Sequence, residues 1–268
     1  MKPFESSSFE TLLIEEVRGR ILVIRLNRPS ASNAITTTTG RELLEIFQAI
    51  EVYPDAYGCI ILTGAGERAF CGGADLKERN GMDDAQFQAQ HQLFERMIRA
   101  ITFCPTPLLC AANGATVAGG LELLLCCDFA YASKSAVFGL PEVSRGIMPG
   151  GGATQQLPRA IGSRRAKEVI FTGARFSAEQ ALSWGVVNRL CDPDKLFGEA
   201  VETAEVICRN APLSVKQAKK AIDLGASTDL WKGFCIEIEA YNRLIPTEDR
   251  REGIRAFNEK RLPAFKGR

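Results

Sequence analysis

The chain has 268 residues, with 33 lysines and arginines against 32 acids for a formal net charge of +1, and is 46% hydrophobic and 24% charged. That is the composition of an ordinary globular protein long enough to bury a sizeable core, and charge alone favours neither nucleic acid nor an anionic membrane as a partner. With His91 the single histidine, multi-histidine metal sites are excluded and a serine or cysteine nucleophile would depend on one imidazole, so proton chemistry is expected to fall to carboxylates.

Two β-branched and leucine-rich runs, LLIEEV and RILVIRL, lie within residues 12–26 around Arg18, Gly19 and Arg20, which predicts a hairpin. The NRPSASNA stretch, Asn27 to Ala34, breaks the pattern. Leu43, Leu44, Phe47 and Ile50 then recur at helical spacing before a buried strand, CIILT, at 59–63. From Asp84 to Ile101 the apolar positions Phe87, Leu93, Phe94, Met97, Ile98 and Ile101 predict a long amphipathic helix, stopped by Pro105 and Pro107. A strand, LLCAA, at 108–112, a small-residue turn, the helical LELLLCC and the strand-like DFAYAS follow. Strand and helix alternation argues for a layered α/β core. Residues 195–260 carry mainly helical patterns, Leu196 to Cys208, Ser214 to Leu224 and Leu230 to Leu244, then a helix capped at Thr247. The expected division is an α/β core over residues 1–205 and a helical unit over 206–268.

Nine cysteines without a CxxC pair sit mostly among aliphatic neighbours and read as reduced, buried thiols of a cytosolic protein. MKPFESSSFE lacks an apolar export core and no run approaches 18 apolar residues, so neither an export signal nor a membrane span is expected.

Four stretches invite a chemical reading. GAGERAF, Gly64 to Phe70, matches a dinucleotide-binding spacing, but Gly72 and Gly73 interrupt the helix such a turn must open. FCGGADLKER, Phe70 to Arg79, exposes backbone amides in a glycine turn ahead of a possible helix start, either an oxyanion donor or a loop capped by Asp75. In VAGGLELLLCCDF the sole acid of a leucine-rich helix is Glu122. Burial there would raise its pKa into the range useful for acid-base work, unless the helix end reaches solvent. Glu142, after Pro141 in a glycine-rich loop reading over Phe138 to Gly162, is either a second carboxylate in a rigid turn or, taken alone, a helix-start acid at the surface. His91, among Gln88, Gln90 and Gln92, reads as a solvated helix residue without a catalytic task. Lys216, Lys219 and Lys220 read as a solvated helix face.

Taken together, GGADLKER, AGGLELLLCCD and FGLPEVSRGIMPGGGATQQLPR resemble the crotonase superfamily, the enoyl-CoA hydratases and isomerases. The similarity runs from LNRPSASNAI to the AFNEKRLPAFKG tail, and the tail resembles the branch that holds AU-binding and methylglutaconyl-CoA hydratases. The resemblance implies a spiral of β-β-α turns with a helical carboxyl-terminal unit that builds homotrimers or hexamers. It also implies an acyl-CoA thioester substrate of fatty acid metabolism type, with coenzyme A as part of the substrate and no separate cofactor. By motif match, the amides of Ala74 and Gly119 would form the oxyanion hole. Glu122 and Glu142 would be the paired catalytic carboxylates, and Ala34, Ala74, Asp75, Leu76, Lys77 and Gly119 would bind substrate. Ala118, where the family usually has glycine, and Gln156, where it usually has arginine, depart from the pattern.

The expected function is reversible hydration of a 2-enoyl-CoA. The alternatives are another reaction of the superfamily, namely isomerisation, dehydration of a specialised hydroxyacyl-CoA or carbon-carbon cleavage, and RNA binding of the AU-binding type. The near-neutral charge argues against RNA.

Overall fold

The computed structural model describes Phe4 and residues 9–268. The chain opens with a hairpin of β1 (Leu12–Val17) and β2 (Ile21–Leu26). α1 (Thr37–Val52), capped by the Thr36 side chain, leads to β3 (Cys59–Gly64). Next come β4 (Ala69–Cys71), α2 (Leu76–Arg79) and α3 (Asp84–Thr102), whose start is fixed by a reciprocal capping box between Asp83 and Gln86. A second turn runs through β5 (Leu108–Ala112), β6 (Ala115–Val117) and α4 (Gly119–Leu125). A third runs through β7 (Phe129–Ser133), β8 (Val137–Gly139), a 3-10 turn over Glu142–Arg145, α5 (Ala153–Ile161) and α6 (Ser163–Thr172). β9 (Arg175–Ser177), α7 (Ala178–Trp184) and β10 (Arg189–Cys191) close the core. α8 (Leu196–Arg209), α9 (Pro212–Gly225), α10 (Leu230–Asn242) and α11 (Glu248–Asn258) follow.

Each turn of the spiral places its first strand in one sheet and its second in another. β3, β5 and β7 run parallel in a large sheet of order β1-β2-β3-β5-β7-β10, while β4, β6 and β8 run parallel in a small sheet of order β4-β6-β8-β9. The large sheet is covered on both faces, which is why its central strands β3 and β5 are buried along their whole length. Ile21, Val23, Ile61 and Leu109 pack with Leu196, Ala200 and Ala204 of α8. Leu22, Ile24, Ile60 and Leu62 face the larger core, shared with Leu43 and Phe47 of α1 and Met97 of α3.

The expected division after residue 205 falls inside α8, whose Leu196, Ala200, Val201 and Ala204 pack on the sheet. The lysine cluster on α9 differs from its reading as a solvated face. Lys219 Nζ lies 2.8 Å from Asp128 Oδ1 and Lys216 Nζ 2.6 Å from Asp55 Oδ1, and both lysine side chains are largely covered. They tie α9 to the core, and of the three only Lys220 behaves as a surface residue. The glycine-rich stretch expected to be loop through Gly162 is helical from Ala153, because Gly152 at φ 101° turns the chain into α5. All nine cysteines are free thiols; Cys127 and Cys208 are half-buried and Cys235 is exposed. Among the described residues no helix is long and apolar enough to cross a membrane.

Candidate active site

A cavity of about 770 Å³ opens where the amino ends of α2 and α4 meet the turns after β1-β2 and β8. Ala34, Ala74, Leu76, Gly119, Glu122 and Glu142 all line it. Asp75 and Lys77 fall outside the lining: Asp75 is buried behind it and Lys77 is exposed on α2.

The Ala34 and Ala74 segments are held side by side. Asn33, buried with φ 53°, accepts from the Arg28 amide and donates to the Ala65 and Ala69 carbonyls at 3.0 and 2.8 Å. Ile35 donates to the Gly73 carbonyl at 2.8 Å and accepts from the Asp75 amide at 2.9 Å. In this parallel bridge alternate residues point opposite ways, so the Ala74 N–H is turned away from Ile35. Asp75 caps α2, accepting from the Lys77 and Glu78 amides at 3.0 and 3.3 Å, and its other oxygen accepts from Arg28 Nη1 at 2.8 Å. Burial alone would raise the Asp75 pKa, but the Arg28 and amide hydrogen bonds outweigh it and hold the carboxyl below the ordinary aspartate value.

Gly119 is the first residue of α4, where the N–H has no partner within the helix. A β-carbon on Gly119 would lie 3.5 Å from Gly73 Cα and 3.7 Å from the Ala74 nitrogen, so the two amides flank one spot on the cavity wall. Gly73 makes that approach feasible. It sits at φ 91°, and a β-carbon there would come within 2.7 Å of Ala118 Cβ and 3.0 Å of the Gly119 nitrogen. Ala118, at φ 54° and ψ −129°, adopts the backbone conformation that glycine usually supplies, so alanine in place of the family's glycine preserves the turn.

Glu122 lies one turn into α4 and is 6% exposed, so its burial reading, and not the solvated helix end, describes it. Its Oε1 accepts from the amides of Gly151 at 2.6 Å and Ala153 at 3.2 Å. Burial raises its pKa, only partly offset by those amides and by the charges of His91 and Arg79. Glu142 starts the 3-10 turn and is 7% exposed, which corrects its reading in isolation as a surface acid. Its Oε2 is buried with no hydrogen-bond partner among the described residues. Burial, reinforced by the charge of Glu122 and opposed by the Glu142 amide and Arg145, pushes its pKa up to about 7. The cavity thus brings the Ala74 and Gly119 amide nitrogens close together on one wall and holds two buried carboxylates, with the charge of Glu122 acting on Glu142.

The rest of the wall is largely apolar, with Phe87, Phe94, Met97 and Ile98 of α3 on one side and Ile147 and Met148 on the other. Two lining residues were not expected from the sequence. His91, which its glutamine neighbours suggest is solvated, faces the cavity, and Arg79 donates from Nε to Gln90 Oε1 at 2.8 Å with its guanidinium over the Phe87 ring. The spacing of Phe87, His91, Phe94 and Ile98 is the signal that would have placed His91 on the inner stripe of α3. Among the described residues no group of three histidine, cysteine or acidic side chains is placed to hold a metal ion.

A spiral of strand-strand-helix turns, with two amides and two carboxylates in one cavity, is the arrangement that the crotonase resemblance implies. Comparison with known proteins shows the family. The family model for enoyl-CoA hydratase/isomerase matches residues 16–268. YngF of Bacillus subtilis (strain 168), named as an enoyl-CoA hydratase/isomerase, is 45% identical over 258 residues, covering 96% of this chain and 99% of its own. The short-chain-enoyl-CoA hydratase of Clostridium acetobutylicum is 38% identical, covering 96% and 98%. A 1.8 Å crystal structure of an enoyl-CoA hydratase from Bacillus anthracis superposes with a TM-score of 0.94 at 41% identity, covering 97% of this chain and all of the other. The chain belongs to the enoyl-CoA hydratase/isomerase family, and its fold is the crotonase-like spiral that the resemblance implied.

Proposed function

We propose that this protein is a hydro-lyase that adds water reversibly to the double bond of a 2-enoyl-CoA thioester. The observation that carries the reading is the pairing of two buried carboxylates, Glu122 and Glu142, in the cavity whose wall presents the Ala74 and Gly119 amides. A proton shuttle alone would need one carboxylate; hydration needs a base for the water and an acid for the α-carbon.

In this reading the thioester oxygen accepts from the Ala74 and Gly119 amides. These donors are already in place when charge develops on that oxygen, and one such donor is typically worth about 3 kcal/mol. Glu122, oriented by Gly151 and Ala153, takes a proton from water as its oxygen bonds to the β-carbon. Glu142, pushed up to about 7, is protonated in a large fraction of molecules at neutral pH, and that form delivers its proton to the α-carbon. Water contributes OH to one carbon, the carboxylate pair contributes H to the other, and the proton left on Glu122 restores the pair. Each acid-base group should contribute about 100- to 10,000-fold.

Ala34 and Ser32 line the cavity mouth, and we place the coenzyme's chain beside them, with the exposed Lys77 on α2 as a nearby cation for its phosphates. The assembly we infer is a trimer or hexamer. Its support is the exposed row Trp231, Phe234, Ile238 and Tyr241 on α10, with exposed Phe257 on α11, large apolar side chains that a neighbouring copy would cover. Light scattering should give a mass of three or six chains.

The test of function is loss of enoyl-thioester absorbance on adding the protein to crotonyl-CoA. Turnover is expected in the parent protein, and its loss in Glu122→Gln and in Glu142→Gln. Near-full turnover in both variants would sink the mechanism.

A further inference from the structure

His91 is the polar member of an apolar stripe. The α3 residues that line the cavity, Phe87, His91, Phe94, Met97 and Ile98, share one helix face, while the neighbouring Gln88 and Gln92 are exposed. The imidazole is held at one end, with Nε2 3.3 Å from Glu95 Oε1 one turn along the helix. Beyond the ring lies Gly150, where a β-carbon would come within 2.7 Å of His91 Cε1. The next residue meets Glu122 just as closely, since a β-carbon on Gly151 would stand 2.7 Å from Glu122 Oε2. Gly150 and Gly151 therefore form a spacer without side chains, an imidazole against one residue and a carboxylate against the other. From the same turn, the Gly151 and Ala153 amides hold Glu122 Oε1.

We propose that His91 is a positioning residue for Glu122: its ring, steadied by Glu95, backs the Gly150–Gly151 turn and so fixes the two amides that orient the carboxylate. The groups facing this assembly are Glu95, Glu122 and Arg79, of which Glu95 engages the ring and the other two share the cavity wall. The expected effect on rate rests on the hydratase reading, while the effect on the turn does not.

His91→Ala removes the support and should lower kcat about tenfold with KM within about threefold, since a small displacement of a reacting group is costly. His91→Phe keeps a flat ring and should restore kcat to within about threefold of the parent protein. On the residual turnover of a Glu122→Gln background, read at high enzyme concentration, His91→Ala should add less than about twofold, because the two residues act on one interaction. Unchanged kcat in His91→Ala, an equal loss in the Glu122→Gln background, or a His91→Phe variant as slow as His91→Ala would each overturn the proposal. Amide hydrogen exchange over residues 150–153 in the substrate-free protein tests it without turnover. Exchange should speed at least about tenfold in His91→Ala and stay within about threefold in His91→Phe, which keeps the ring but not its contact with Glu95, in line with local opening of a segment that has lost its packing. Unchanged exchange in His91→Ala overturns the proposal even where hydration is measured, whereas absence of turnover in the parent protein counts against the hydratase reading alone.

Discussion

The Glu122 carboxylate accepts a 2.6 Å hydrogen bond from the amide of Gly151, 29 residues further along the chain, and the same glycine leaves no room for a side chain beside it. The helix that carries the carboxylate and the turn that aims it belong to successive turns of the spiral. Gly151→Ala should therefore displace the Glu122 head without unfolding α4 or α5. The expected result is a fall in kcat of about 10- to 100-fold with KM little changed, at an unaltered circular dichroism spectrum.

The carboxylate pair sets a pH dependence whose sign can be worked out. Hydration consumes no net proton, so both directions use the same form of the enzyme, with one proton shared between Glu122 and Glu142. That form is lost at low pH when both are protonated and at high pH when both are ionised. With Glu142 pushed up to about 7, the alkaline limb of kcat/KM should fall near that pH, and the hydration and dehydration profiles should superpose. A profile flat from pH 6 to 9 would contradict the assignment of Glu142 as the proton carrier.

The same residue affects stability in the opposite sense from a salt-bridged acid. Its folded pKa of about 7 lies above the ordinary glutamate value, so folding favours the protonated form. The penalty is absent below about pH 4.3, grows as pH rises, and is complete above about 7. Glu142→Gln should be more stable than the parent protein at pH 8 by about 1–2 kcal/mol, allowing for partial solvent screening, with the difference vanishing at pH 4. Urea denaturation at the two pH values measures it.

What could be read from the sequence divides along a physical line. Glu122 was visible because one acid in LELLLCC stands out against its own helix, and the long strands and helices were visible because they carry enough residues to show a period. β4, β6, β8 and β9 have three residues each, too few for any alternation, so the small sheet had no signature. The burial of Glu142 is produced by a cavity built from distant segments, and its own neighbours, Pro141 and Val143, carry no clear trace of it. The amides of Ala74 and Gly119 show in sequence only as glycine spacing, interpretable through resemblance to the family. His91 was hidden by flanking glutamines that suggested solvent, although the apolar period of α3 includes it.

Arg28 and Asp75 join the two loops that present Ala34 and Ala74. Asp75 supplies both a helix cap and an ion-pair partner, and its folded pKa is lowered, so its contribution is present above the ordinary aspartate value and disappears as pH falls through the folded one. Asp75→Ala should cost about 1–2 kcal/mol at pH 7, and the difference from the parent protein should shrink as pH falls below the ordinary aspartate value. If the ion pair also sets the oxyanion donors, kcat falls in the same variant at temperatures where it is fully folded; thermal melts and initial rates on one preparation separate the two effects.

Ala118 provides the last test, because its backbone geometry and its side chain pull in different directions. At φ 54° and ψ −129° an L-residue sits in a region it rarely adopts, at a cost of about 1–3 kcal/mol. Glycine removes that cost but loses about 0.5–1 kcal/mol to the greater freedom of the unfolded chain. Relief of strain outweighs that loss, so Ala118→Gly should raise stability by about 1 kcal/mol. The adjoining Gly119 donor depends on the direction of the turn and not on the Ala118 methyl, so kcat should stay within about twofold. Ala118→Val should do the reverse, since a β-branched residue fits this conformation worse and its added methyls press on Gly73, already close enough that a β-carbon there would meet Ala118 Cβ at 2.7 Å. A melting temperature that rises for glycine and falls for valine supports the strained turn, and equal melting temperatures for all three proteins would show that α4 begins in a different conformation.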